Sequence, residues 1–127
     1  RESSSITICK DLLEEGAILC IHDQKVRPQQ IANDLGIKEN KEITSLNESN
    51  NFELEGQWCF SEELENGFNL ADAVVVLTEW GSYSEINWME MSKKMRSPAW
   101  VFDARSIINH SEVKKAKLNS WRIGDGS

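Results

Sequence analysis

The chain has 127 residues, 39% of them hydrophobic and 28% charged, which suits one soluble domain with its own core and leaves too little for two. A net charge of -7 argues against nucleic acid and anionic membrane as partners, and no apolar run approaches the ~18 residues of a membrane-spanning helix. Three cysteines, Cys9, Cys20 and Cys59, are odd in number and lack C-x-x-C spacing. They are read as small buried hydrophobes in a reducing cytoplasm, not as a disulfide framework, a zinc site or a nucleophile.

The first residue is Arg1, and no basic-then-apolar signal pattern follows, so the chain reads as a piece of something longer. SSSITICKDLLEEG offers a serine cap, apolar residues Ile6, Cys9, Leu12 and Leu13 at helical spacing, and Gly16 as a stop. AILCIHD then predicts a short strand, and PQQIANDLG a brief helix with Pro28 in its first turn and Gly36 beyond its end.

From about 37 to 56 the chain is polar, rich in Asn, Glu and Ser, and is expected to be an insertion. QWCF is short enough to be only a candidate third strand, and SEELENG has the serine-then-glutamate start of a capped helix. ADAVVVLTEW carries the clearest strand, apolar without interruption from Ala73 to Leu77 around three β-branched valines and patterned for burial on both faces. A helix from about Trp88 to Met95 leads through Pro98 into AWVFDA, a second buried strand. The basic helix SEVKKAKLN and a terminal strand in SWRIG complete the chain.

Strands alternating with helices predict an α/β fold: a mostly parallel sheet covered by helices on both faces, a three-layer Rossmann-like arrangement. Ligands of such sheets bind at the carboxyl ends of the strands. That rim should carry His22 and Asp23, Thr78, Glu79 and Trp80, and Asp103, Ala104 and Arg105. The charge distribution agrees with a site near the last group. Residues 37–72 hold nine acidic and two basic side chains, whereas residues 93–122 hold eight basic against Asp103 and Glu112.

Four pieces in order, RESSSI, AILCIHDQKV, ADAVVVLTEW and PAWVFDAR, resemble the C-terminal, nucleotide-sugar-binding domain of the UDP-glucose/GDP-mannose dehydrogenase family. The resemblance covers nearly the whole chain, 1–127. It implies one wall of the active site of an NAD-dependent enzyme that oxidises UDP-glucose to UDP-glucuronate, cytoplasmic and homo-oligomeric, completed by the enzyme's remaining domains. The family's G-x-G-x-x-G nicotinamide-binding domain and its nucleophilic cysteine precede this segment. No catalytic residue is therefore expected in the chain itself.

Two residues carry over from the resemblance. Arg105 matches the arginine of the family's F-D-G-R pattern and is implied to bind the diphosphate of UDP-glucose or UDP; Arg1 is implied to face the NAD site. A guanidinium suits both tasks, because its planar fork of donors matches phosphate oxygens and stays charged near neutrality. Ala104 departs from the family's glycine, which puts the local turn in question. A domain of this kind is also expected to have a strand ahead of the helix at Ser3, lying between the AILCIHD and ADAVVVL strands. Its absence predicts a sheet centre that is closed up, rearranged or filled by a partner.

Simpler readings compete at several positions. Arg105 alone could be a structural partner of Asp103, and Ser3 to Ser5 are explained by capping. His22 and His110 have no third ligand at metal-like spacing. Thr78 and Glu79 read as an ordinary strand end, and Lys93, Lys94, Lys114, Lys115 and Lys117 as solvated helix faces. Within the family, a GDP-mannose or UDP-N-acetyl-sugar dehydrogenase is the alternative substrate class. A receiver-like or flavodoxin-like regulatory module is a third reading, and the chain lacks the acidic cluster and lysine a receiver needs.

Overall fold

A computed structural model of the chain describes residues 4–41, 56–78 and 80–122. In order these form α1 (Ser4–Glu14), β1 (Ile18–Ile21), α2 (Pro28–Leu35), β2 (Gln57–Phe60), a 3₁₀ turn (Leu64–Phe68), β3 (Ala73–Val76), a second 3₁₀ turn (Gly81–Glu85), α3 (Trp88–Ser92), β4 (Trp100–Asp103), α4 (His110–Lys115) and β5 (Asn119–Arg122). All three strand pairings are parallel, and helices alternate with strands, as an α/β fold requires. The strands are shared between two sheets: β1 pairs with β2, and β3, β4 and β5 lie side by side in that order. Among the described residues β1 and β3 do not pair. The chain correspondingly separates into two compact units, Arg1–Gly67 and Phe68–Ser127.

The first unit is built on Leu13, Ile31, Leu35 and Trp58, with Ile6, Leu19, Ile21 and Phe60 packed against them. QWCF does form the strand β2, because its Trp58 is fully buried in this core and its indole N–H finds the carbonyl of Ile37 at 2.8 Å. Of the polar insertion, residues 42–55 lie outside the described residues. The preceding residues run beside β2: Asn40 N–H donates to the Trp58 carbonyl at 2.8 Å, and Phe60 N–H donates to the Glu39 carboxylate at 2.8 Å. These bonds satisfy main-chain groups on the edge of β2 that β1 does not use. α2 starts on Pro28 and stops on Gly36, whose φ of 73° is the left-handed cap that its position predicts.

The second unit buries Phe68, Val76, Trp88, Met91, Val101 and Val113, with Phe68 and Trp88 edge to face at 5.7 Å. α3 and α4 are shorter than the helical periodicity suggests, and each is started by an asparagine whose side chain caps it, Asn87 and Asn109. SEELENG becomes a 3₁₀ turn and not an α-helix.

The two strands read as buried on both faces prove one-sided. Val76, Val101 and Asp103 are buried, whereas Val75, Trp100 and Trp121 are each about 40% exposed, with Trp100 stacked on Phe102 at 5.5 Å. The register places Val75, Phe102 and Trp121 in one apolar row across the exposed face, with Ala73, Trp100 and Asn119 in the next. A continuous apolar run has no alternation from which a sequence could tell one covered face from two.

Gly56 marks the tightest approach in the first unit. Its N–H donates to the Leu13 carbonyl at 3.0 Å, and a Cβ placed on it would lie 2.5 Å from that carbonyl oxygen and 2.7 Å from that of Ala17. Both obstacles are main chain and cannot rotate away. Gly56→Ala is therefore expected to destabilise the fold by roughly 2 kcal/mol or more, read as a lowered urea midpoint, because the end of α1 must retreat from β2.

Candidate functional site

β4 ends on Asp103, a carboxylate with no solvent exposure that is aimed back at the turn following it. One of its oxygens accepts from the Arg105 N–H at 3.0 Å. The other accepts from the N–H groups of Ile107 and Ile108, both at 2.9 Å, and lies 3.1 Å from His110 Nε2. Four donors thus converge on one buried side chain. Burial by itself would raise the carboxyl pKa, but the hydrogen bonds from Ile108, Arg105 and His110 outweigh it and hold the group below the usual aspartate value.

This web settles the local geometry that Ala104 leaves open. The positive φ of the turn falls on Ser106, at 57°, while Ala104 keeps an ordinary φ and donates its N–H to the Val76 carbonyl at 3.1 Å. The turn thus needs no glycine at 104. Arg105 stands between these two residues, its main chain tied inward to Asp103 and its side chain exposed. A cation on such a turn approaches an anion with its backbone already ordered, which lessens the entropy lost on binding.

The register levels the neighbouring strand ends. Asp103 stands opposite Val76 on one side and Arg122 on the other, so Thr78, Arg105 and Arg122 share the carboxyl end of one sheet. Arg122 adds a second guanidinium to that end, half-buried. Its place in SWRIG was visible in the sequence, but its alignment with Asp103 depends on a register that the sequence does not state. Thr78 and Trp80 are half-buried, while Glu79 and Arg1 lie outside the described residues.

In the first unit, the ends of β1 and β2 carry a separate group. Asp23 accepts from the N–H groups of Lys25 and Val26 at 2.8 and 2.9 Å, which closes a turn, and Arg27 pairs with Glu62 while lying 5.2 Å from the centre of the Phe60 ring. Burial pushes the His22 pKa down, against the upward pull of Asp23, Glu62 and Glu63. Among the described residues no cluster of three or more His, Cys, Asp or Glu side chains is placed to hold a metal ion, and no helix is long and apolar enough to cross a membrane.

The model of the UDP-glucose/GDP-mannose dehydrogenase family, UDP binding domain, matches residues 1–110. UDP-glucose 6-dehydrogenase of Pongo abelii is 36% identical over 129 residues, covering 98% of this chain and 24% of that protein. The Drosophila melanogaster UDP-glucose 6-dehydrogenase is 32% identical over 124 residues, covering 98% and 25%, and Arabidopsis thaliana UDP-glucose 6-dehydrogenase 4 is 28% identical over 129 residues, covering 98% and 26%. The chain thus spans about a quarter of the length of these relatives.

Asp103→Asn is expected to lower stability at pH 7 by about 3 kcal/mol, since an amide cannot accept from main-chain donors at both of its heavy atoms. Because the folded pKa is depressed, the carboxylate's contribution is present above the ordinary aspartate value and is lost as pH falls through about 4 and below. Urea midpoints measured from pH 7 to pH 3 should show a fall in the parent chain that is smaller in the asparagine variant.

Proposed function

The chain belongs to the UDP-glucose/GDP-mannose dehydrogenase family, by the match of the UDP-binding-domain model over residues 1–110, and from that premise we propose that Arg105 holds the diphosphate of UDP-glucose. The observation that carries this reading is the turn itself: a side chain exposed at the carboxyl end of a parallel sheet, on a backbone tied down by a buried carboxylate. The structural alternative, Arg105 as an ion-pair partner that keeps Asp103 charged, is less economical. Main-chain donors and His110 already surround that carboxylate.

On this reading the domain, 1–127, is the substrate wall of a cytoplasmic, homo-oligomeric enzyme that oxidises UDP-glucose to UDP-glucuronate with NAD. The cofactor and the catalytic cysteine belong to the remaining domains, so this chain's residues bind and orient. Arg105 supplies paired N–H donors to phosphate oxygens. Arg122, one strand away, adds positive potential at the same end. Arg1 faces the cofactor: in the complete enzyme Arg1→Ala raises the KM for NAD and leaves UDP-sugar affinity unchanged.

The diphosphate role is tested by calorimetric titration of UDP and UDP-glucose into the complete dehydrogenase and its variants. Arg105→Ala should weaken both ligands by roughly 10- to 100-fold, and Arg105→Lys should recover only part of the loss, because an ammonium keeps the charge without the fork. Unchanged affinity in the alanine variant overturns the role. Tighter binding of GDP-mannose than of UDP-glucose to the parent enzyme would move the chain to the other substrate branch of its family.

A further inference from the structure

The sequence reading treats the three cysteines as separate small hydrophobes, yet the parallel register of the first unit sets two of them opposite one another. Cys20 of β1 and Cys59 of β2 are direct Cα partners, so their side chains leave the same face of the sheet, and their sulfur atoms lie 3.6 Å apart. Neighbouring strands stand about 4.8 Å apart, within the Cα separation that a disulfide spans, so bond formation needs the sulfurs to close without moving the backbone far.

The surroundings distinguish the two thiols. Both line a cavity of about 180 Å³, together with Ser61, Glu62, Glu63 and Asn66. Cys20 is partly accessible, whereas Cys59 is buried. A Cβ built on Gly67 would lie 3.8 Å from the Cys20 sulfur, so a glycine keeps side-chain bulk away from it.

We propose that Cys20 and Cys59 form an oxidisable thiol pair: a small peroxide entering the cavity oxidises Cys20, and Cys59 resolves it to a reversible disulfide joining β1 to β2. The chemistry balances. The Cys20 sulfur takes one oxygen from hydrogen peroxide, releasing water and leaving a sulfenic acid. The Cys59 sulfur then displaces that oxygen, the S–S bond forms as the S–O bond breaks, and the Cys59 thiol proton leaves with the displaced hydroxide as a second water.

The order of the two steps follows from the thiol environments. A hydrogen bond from Cys59 lowers the Cys20 pKa in spite of burial, with help from Ser61 and against the Glu39 charge. Cys59 is raised, by giving its proton to that bond and by burial. The thiol that is easier to ionise is also the one that is easier to reach. Cys9, half-buried and raised by burial, is an internal control on the same chain.

The test treats the complete protein with hydrogen peroxide, blocks remaining thiols with an alkylating reagent, and maps cross-links by mass spectrometry without reduction. The expected result is a Cys20–Cys59 linked peptide pair within one chain, reversed by dithiothreitol, formed at least about tenfold faster than any oxidation of Cys9. In Cys59→Ser, Cys20 should stop at a sulfenic acid that dimedone traps; in Cys20→Ser, Cys59 should give no dimedone adduct. The cross-link in the unsubstituted protein decides the matter even where a variant folds poorly. Oxidation of Cys9 at a comparable rate overturns the proposal, as does Cys20 passing to sulfinic acid with no intrachain cross-link.

Discussion

The Asp103 carboxylate is the constraint on which the turn after β4 depends. It ends a strand, lies out of water, and accepts from three main-chain N–H groups and an imidazole within eight residues of chain. A buried N–H among those donors needs an acceptor as the chain leaves the sheet. One charged acceptor converts an irregular stretch into an ordered turn, and its depressed pKa measures how strongly the donors favour its charged form. Arg105 is therefore held from below through its own backbone.

The parallel register extends that order sideways. Because β3, β4 and β5 pair in register, Val76 and Arg122 stand level with Asp103 on the flanking strands. The same register explains both faces of the sheet, with Val76, Val101 and Asp103 on the buried side and a row of Val75, Phe102 and Trp121 on the other. In the first unit, parallel pairing has a different chemical result: it sets Cys20 beside Cys59 although 38 residues separate them in the chain.

The chain belongs to the UDP-glucose/GDP-mannose dehydrogenase family and matches its UDP binding domain over residues 1–110. Arg105 and Arg122 both stand at the carboxyl end of the second unit's sheet. The overall charge is strongly negative, and basic side chains outnumber acidic ones between residues 93 and 122. The left-handed residue of the turn after β4 is Ser106, not Ala104.

Much of this was legible in the residues. Helix and strand periods, Pro28 before and Gly36 after α2, and the β-branched run at Ala73 are local signals, written in side-chain shape and backbone freedom, and they determined the α/β class and the place of Arg105 just beyond a strand. The short strand at QWCF was less legible, because four residues are too few for a period and Trp58 declares itself only by being buried. What only the tertiary structure decided is which distant residues meet. The division into two sheets, the four donors on Asp103, the alignment of Arg122 and the pairing of two thiols all depend on strand register and on where main-chain hydrogen bonds are satisfied. Those are properties of neighbours in space, and no span of sequence contains them.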